Sequence, residues 1–181
     1  MYSRSVEEVK TRLELEPNLI DIYVEGDFDR DVLSQLYNAK KNYSIYIISD
    51  IDISSDLLDK YKLTSGCRQR VLVLAKELER SSTNNNCICV VDKDFDHWAG
   101  KIEKGKILKW TKYCDMESHF ITEKFIKKIL IDTCRSKIEN FELFYSAFID
   151  VLKRMYSMRM ADFFLDYNLS WMSYGKYLSF D

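Results

Sequence analysis

The stretch Leu-Ile-Asp-Ile-Tyr-Val-Glu-Gly at residues 19–26 sets the fold class, because a run rich in β-forming residues stops at a carboxylate followed by glycine. Such a run predicts a buried strand that ends near Val24. Acidic residues at 27–31 then favour the start of a helix directly after the turn. The residues predicted to form the buried face of that helix are Val32, Leu33, Leu36 and Tyr37. The sequence therefore contains a strand–helix unit at this point.

The alternation of strand and helix continues along the chain. Residues 43–48 predict a second strand, and residues 87–91 predict a third strand that ends at Asp92. The apolar periodicity of residues 69–80 predicts a helix between them. A further strand is expected at residues 107–111. This alternation predicts a mainly parallel sheet flanked by helices, an α/β fold of the Rossmann-like type.

The parallel arrangement has a consequence for two carboxylates. Glu25 and Asp92 each follow the last residue of a predicted strand. Functional groups gather at the carboxyl ends of the strands in such sheets. We therefore expect these two side chains to meet at one edge of the sheet.

The two ends of the chain are predicted to be helical. Ser5 and Glu8 form a capping box at the start of a leading helix over residues 5–14. The apolar pattern is helical from Ser118 almost to the end. The predicted organisation is a leading helix at 1–18, an α/β core at 19–116 and a helical part at 117–181 packed on the core. The polar segment at residues 50–62 receives no assignment.

Composition and charge limit the function classes. A hydrophobic share of 46% and a charged share of 31% are typical of a globular domain, and a net charge of −2 argues against wholesale non-specific binding to nucleic acid. Residues 101–137 nevertheless hold 10 Lys and Arg against 5 Asp and Glu. This local excess is typical either of a phosphate-facing surface or of a solvated helix face. The lysines expected to face a substrate are Lys101, Lys104, Lys106, Lys109 and Lys112.

The cysteines indicate the compartment. The chain has five of them with no C-x-x-C pair, and Cys87 and Cys89 alternate with Ile88 as core residues of a strand would. An odd count, together with the lack of an N-terminal signal peptide, predicts a cytoplasmic location. No apolar run approaches the roughly 18 residues needed to span a bilayer, so no membrane association is expected.

Three alternating carboxylates follow the third predicted strand at Asp92, Asp94 and Asp96. Crowded like charges are unfavourable unless a cation neutralises them, and carboxylate oxygens are the ligands that Mg²⁺ and Mn²⁺ prefer. An acidic turn exposed to solvent is the plainer interpretation. Lys93 lies in the same loop and could meet developing charge on a phosphate. His97 is a candidate proton shuttle.

The motifs Ile-Tyr-Val-Glu-Gly-Asp-Phe-Asp at residues 22–29 and Val-Val-Asp-Lys-Asp-Phe-Asp at residues 90–96 together resemble the Toprim domain. The E-G-x-x-D form resembles OLD-type nucleases and small Toprim proteins of prokaryotic phage defence, including the nuclease subunit of the PARIS system. The segment Trp110–Ser118, an aromatic and acidic stretch before a helix, fits the same group. The resemblance covers roughly residues 20–130 well and the helical tail only loosely.

The resemblance implies a Toprim-like core and a division of roles among its acidic residues. Glu25 would bind metal or transfer a proton, and Asp92 and Asp94 would hold Mg²⁺ (or Mn²⁺) against a phosphodiester. Asp29 and Glu117 would complete a second metal site, with Asp96 as an outer ligand. The implied catalytic residues are Glu25, Asp92, Lys93 and Asp94. The implied metal ligands are Glu25, Asp29, Asp92, Asp94, Asp96 and Glu117.

The function implied is a metal-dependent endonuclease that cuts DNA, tRNA or other RNA, as the effector of an anti-phage defence system. The chain has no G-x-x-x-x-G-K-[ST] loop, so a regulatory ATPase would be a separate protein. A homodimer is also compatible with the resemblance. Two alternatives stay open: a primase-like nucleotidyl transferase, and a catalytically idle Toprim fold that serves as a binding or regulatory module.

Overall fold

The structure is a computed structural model that describes residues 3–37, 40, 42–81 and 86–171. The chain divides into two compact units, Met1–Phe120 and Ile121–Asp181. The leading helix belongs to the first unit together with the α/β core, although it was predicted as a separate part at residues 1–18.

The first unit alternates strands and helices, which confirms the predicted α/β class. Its strands are β1 (Arg4–Ser5), β2 (Ile20–Val24), β3 (Tyr43–Ile47), β4 (Ile51–Asp52), β5 (Cys87–Val91) and β6 (Leu108–Trp110). Its helices are α1 (Val6–Leu15), α2 (Asp27–Tyr37), α3 (Ser55–Tyr61) and α4 (Cys67–Ser81), with 3₁₀ turns at Ile48–Asp50 and Glu117–Phe120.

Four strands form a sheet in the order β3-β2-β5-β6, and every neighbouring pair is parallel. The chain runs from β2 outward to β3 and then crosses back over β2 to reach β5. This reversal makes the gap between the carboxyl ends of β2 and β5 a topological switch point, where open α/β sheets bind ligands. Glu25 and Asp92 are the residues that follow these two strands.

The main hydrophobic core covers one face of this sheet. Strand side chains alternate between faces, and those of Tyr23, Cys89 and Val91 pack together with the apolar sides of α1 and α4. On α4, Val71 and Leu74 are completely buried. Cys87 and Cys89 are 2% and 0% exposed, which confirms their predicted place in the core.

The opposite face is only partly covered. Val32 and Leu33 of α2 line an open groove of about 440 Å³ together with Val90 of β5. Leu36 also lines this groove and is 71% exposed, so its predicted burial is wrong. The apolar periodicity of α2 correctly marks one side of the helix, but the end of that side borders the open groove instead of packed side chains.

The segment without a sequence assignment is ordered. Residues 48–62 comprise the first 3₁₀ turn, β4 and α3, and the Ser54 side chain caps α3 by accepting a hydrogen bond from Leu57 N–H. Strand β4 pairs in parallel with β1, so the segment attaches to the start of the chain. The predicted capping box of α1 is also present, with Ser5 Oγ and the Glu8 carboxylate each accepting the other's backbone N–H.

A buried carboxylate joins three of these helices. Glu77 of α4 accepts hydrogen bonds from Lys60 Nζ at 2.5 Å and Tyr61 Oη at 2.8 Å, both on α3. It also pairs with Lys10 Nζ of α1 at 3.4 Å. The Glu77 side chain is only 10% exposed, so these contacts replace most of its water.

The second unit is helical. Its helices are α5 (Glu123–Lys127), which continues into a π-helical turn at Lys128–Thr133, and α6 (Phe141–Leu165). Asn140 caps α6 by accepting a hydrogen bond from Leu143 N–H at 3.0 Å. None of the helices in the described ranges of the chain is long and apolar enough to cross a membrane.

Candidate functional site

Glu25 and Asp92 meet at the switch point of the sheet. Glu25 Oε1 accepts a hydrogen bond from the backbone N–H of Asp92 at 2.9 Å. The bond ties the residue after β2 to the residue after β5 and holds the two carboxylates side by side. Both side chains are partly buried. The structure therefore brings together the two residues whose convergence the parallel topology predicted.

This crowding changes the acidity of both groups. Burial raises the pKa of Glu25 to about 7; the Asp92 N–H and the charge of Arg68 oppose this shift, while Asp94 and Asp29 add to it. Burial, and after it the charges of the neighbouring carboxylates led by Asp29 and Glu25, together raise the pKa of Asp92 to about 8. Shifts in this direction are expected where like charges share a site that water reaches poorly.

Asp29 and Glu117 border the same cluster. Asp29 is 9% exposed and accepts a hydrogen bond from Gly26 N–H at 3.3 Å, so its carboxylate turns back toward the start of α2. Its pKa is raised by burial first, and the carboxylates of Glu117 and Asp115 raise it further. Asp29 and Glu117 are therefore electrostatic neighbours. The resemblance assigns these two residues to a second metal.

An arginine enters the cluster from helix α4. Arg68 Nη1 lies 2.5 Å from Asp94 Oδ2 and 3.5 Å from Asp96 Oδ2. Its Nε–H is buried and finds no acceptor within the described part of the chain. Asp94 and Asp96 therefore have a guanidinium as their counter-ion, whereas Glu25 and Asp92 form no ion pair with it at salt-bridge distance in the described residues.

The loop that carries the acidic residues is fixed to the segment after β6. Lys93 N–H donates to Thr111 Oγ1 at 3.2 Å, and Asp94 N–H donates to Cys114 O at 2.8 Å. Asp94 adopts the left-handed conformation with φ of 41°, which aspartate tolerates better than most residues. Lys93 Nζ donates to Lys112 O at 2.9 Å. In this conformation the Lys93 ammonium is therefore bound to a backbone carbonyl.

The donor set suits a hard divalent cation in its chemistry, because all of its members are carboxylates. Across residues 3–37, 40, 42–81 and 86–171, however, no three acidic, histidine or cysteine side chains are already arranged to hold a metal ion. Asp94 is engaged by Arg68, and Glu25 by the Asp92 backbone. A metal would therefore compete with Arg68 for Asp94, whereas Glu25 keeps a second carboxylate oxygen for a metal.

Sequence reasoning missed two members of the site, Arg68 and Asp115. Arg68 lies in the first turn of α4, where the helix dipole disfavours a cation. This unfavourable placement is the sequence feature that could have identified Arg68 as a site residue. Asp115 Oδ1 accepts a hydrogen bond from Ser118 N–H at 2.7 Å, next to the 3₁₀ turn that contains Glu117. Its D-x-x-S spacing is typical of a helix start, and this spacing could have identified Asp115 from the sequence.

Exposed basic and aromatic side chains occur on both sides of β6. Lys112 follows β6 and lies at the carboxyl end of the sheet with the acidic cluster, whereas Lys104 and Lys106 precede β6 and so lie toward the opposite end of this parallel sheet. The predicted substrate-facing lysines at 101, 104, 106, 109 and 112 are all exposed. Two aromatic side chains in this part of the chain are exposed as well, Trp98 at 61% and Tyr113 at 46%. His97, the candidate proton shuttle, is exposed and lies against the Trp98 ring with centroids 4.9 Å apart.

Comparisons with known proteins give no independent support for the two motifs. The resemblance of residues 22–29 and 90–96 to the Toprim domain therefore remains a prediction. No family model matches this chain, and no curated protein sequence matches it.

Proposed function

We propose that this protein is a metal-dependent nuclease that cleaves a DNA or RNA phosphodiester. The observation that carries the proposal is the convergence of Glu25 and Asp92 at the switch point of a parallel sheet, with Asp29 and Asp94 beside them. A partly buried group of carboxylates at a ligand-binding position is costly without a cation. It is therefore better explained as a cation site than as an acidic surface turn.

Glu25, Asp92 and Asp94 would hold Mg²⁺ or Mn²⁺, and Asp29 with Glu117 would hold a second ion. A bound divalent ion would polarise the phosphoryl oxygens and lower the pKa of bound water. Glu25 lies beside Asp92 and can accept or return a proton there. The Arg68 guanidinium, with its unsatisfied Nε–H, can donate to a phosphate oxygen once it releases Asp94.

The surroundings of the cluster support a nucleic acid as the substrate. Lys112 at the carboxyl end of β6 and Lys101, whose backbone N–H donates to Asp96 O, favour contact with a phosphate backbone near the cluster. The exposed aromatic rings of Trp98 and Tyr113 offer faces for stacking bases. Stacking of this kind suits single-stranded or locally opened substrates. On the resemblance of residues 22–29 and 90–96 to Toprim proteins of phage defence, we further propose that the activity serves as a defence effector under control of a separate partner.

The test is cleavage of a mixed panel of tRNA, single-stranded DNA and duplex DNA with Mg²⁺ or Mn²⁺. We expect cutting of at least one substrate that EDTA abolishes and added metal restores. Cutting that continues in EDTA would contradict the proposal. No cutting of any substrate, in a sample that binds Mn²⁺ by calorimetry, would favour the second candidate.

That second candidate is a nucleic-acid-binding module without catalysis. One observation favours it: Arg68 already pairs with Asp94 and Asp96 and offsets part of their charge, which reduces their need for a metal. The two candidates differ in cleavage, not in binding. A gel-shift titration of the same panel in EDTA would detect the module.

Replacing Arg68 tests whether it competes with metal. Arg68→Gln removes the cation paired with Asp94 and Asp96, so we expect the dissociation constant for Mn²⁺ to fall by roughly two- to fivefold, the worth of a partly exposed ion pair. Isothermal calorimetry measures this directly. Lys76→Gln is the matched control, because it removes the same charge from α4 at a residue paired with Glu103. Unchanged or weaker affinity in Arg68→Gln would show that the arginine does not compete.

A further inference from the structure

Helix α6 presents an apolar stripe along its whole length. With 3.6 residues per turn, a set of residues that recurs at steps of three and four returns to the same side of the helix. The members of this stripe are Leu143, Ala147, Val151, Arg154, Met158, Ala161 and Leu165.

Every member of the stripe is exposed. The four large apolar side chains are 68% exposed at Leu143, 54% at Val151, 58% at Met158 and 58% at Leu165. A continuous apolar surface on one side of a 25-residue helix is unfavourable in water and typically marks an interaction surface. Its 3-4 spacing is the pattern of helices that pair along their length.

The order of residues in the stripe is close to a palindrome centred on Arg154. Reading outward from it, small residues stand seven positions away on both sides, at Ala147 and Ala161, and leucines stand eleven positions away, at Leu143 and Leu165. In an antiparallel pair of identical helices about a two-fold axis, each residue meets its mirror position on the other copy, so this order places leucine against leucine and alanine against alanine. Val151, three positions before Arg154, and Met158, four positions after it, are offset from this symmetry by one residue.

We propose that α6 pairs antiparallel with α6 of a second copy of this chain about a two-fold axis at Arg154. Leu143 of one copy then packs against Leu165 of the other, and Ala147 meets Ala161. The small residues allow the two backbones to approach closely at these points. The interface is isologous, so it closes on itself as a dimer.

Charges near the axis fit the same arrangement. Arg154 is the one charged residue in the stripe, and Asp150 lies one turn before it, at the edge of the stripe. In the antiparallel pair, Asp150 of each copy lies within about one helical turn of Arg154 of the other, so the two arginines are neutralised across the interface. A single polar residue in an apolar seam also penalises shifted pairings, which fixes the register.

Sedimentation of the full chain tests the pairing. We expect a concentration-dependent dimer for the wild type and, in Val151→Asp, a dissociation constant raised by at least about tenfold, because two carboxylates would be buried per dimer. Ser146→Asp is the control, since it adds the same charge at an exposed residue of the same helix that lies outside the stripe. Circular dichroism should be unchanged in both variants. A wild type that stays monomeric, or a dimer that Val151→Asp leaves intact, would overturn the proposal.

Disulfide trapping tests the orientation. Under mild oxidation, Arg154→Cys should cross-link to itself at the axis, and a mixture of Leu143→Cys with Leu165→Cys should form the mixed dimer. Lys153→Cys should remain at the background level that the five native cysteines set. Self-cross-linking of Leu143→Cys without the mixed product would mean a parallel pair and would overturn the antiparallel arrangement.

Discussion

Asp92→Asn is expected to lower metal-dependent cleavage by roughly a thousandfold, because Lewis-acid stabilisation is worth several kcal/mol and each 1.36 kcal/mol is a factor of ten in rate. Asparagine keeps the shape of the side chain but removes its charge and replaces one oxygen by an NH₂ group, which is a poor metal ligand. The backbone N–H of residue 92, which Glu25 accepts, is retained. Single-turnover cleavage of the best substrate, at saturating Mg²⁺, measures the loss.

Two observations separate this effect from damage to the fold. Removing one of several crowded carboxylates relieves repulsion, so the metal-free Asp92→Asn protein should melt no lower than the wild type. Asp27→Asn is the matched control, because Asp27 is an exposed acidic residue near the site that pairs with Arg30 at 2.7 Å. Cleavage that survives in Asp92→Asn, or that falls equally in Asp27→Asn, would refute the assignment of Asp92.

Glu77→Gln is expected to lower the free energy of unfolding by about 2 kcal/mol at neutral pH, because it removes a nearly buried charge from its hydrogen-bonded partners. Those partners, Lys60, Tyr61 and Lys10, belong to α3 and α1, so the loss would loosen both helices from α4. Urea unfolding followed by circular dichroism measures the change.

The pH dependence of this effect has a fixed sign. The hydrogen bond from Lys60 is the main cause that lowers the pKa of Glu77 from 4.5 to about 2. A group with a lowered pKa in the folded state stabilises the protein above its unfolded pKa, and this contribution disappears as the pH falls through the folded value. The difference between wild type and Glu77→Gln should therefore be full above pH 4.5 and shrink toward pH 2.

An exposed ion pair that involves the same helix, α4, provides the comparison. Glu103 lies 2.8 Å from Lys76 of α4 and has a side chain that is 45% exposed. Exposed ion pairs contribute about 0–1 kcal/mol, so Glu103→Gln should change the unfolding free energy little. Equal losses in the two variants would mean that burial of Glu77 does not set its contribution.

The fold was predictable where local pattern and tertiary packing agree. Strand β2 is buried on both faces for most of its length, whereas β5 buries one face and leaves the other half-buried. The runs of β-branched and small apolar residues in both strands predict this burial. Helix α3 was missed because seven residues give too few turns for a periodicity. Its Ser54 cap was the only local signal. Leu36 was misplaced because periodicity identifies a side of a helix without showing how far the packing extends.

The candidate site was predictable only in part, for a similar reason. Glu25 and Asp92 come together because the backbone of a parallel sheet places them, and topology can be inferred from alternating elements. Arg68 reaches the site from helix α4 through its long side chain. No periodic pattern in the sequence predicts the direction of this side chain or its pairing with Asp94. The same holds for Lys93, whose ammonium binds Lys112 O.

The strand order also determines how the protein can be assembled on the ribosome. Strand β2 is central in the finished sheet, yet its two neighbours arrive at different times, β3 first and β5 much later. At 5–20 residues per second, the roughly 60 residues between β2 and β5 take about 3 to 12 s to synthesise. During that interval β3 can cover one edge of β2, but the edge that β5 will occupy stays open, and unpaired edges invite wrong partners. The strand that is most protected in the native sheet is therefore an exposed edge strand while the chain is being made.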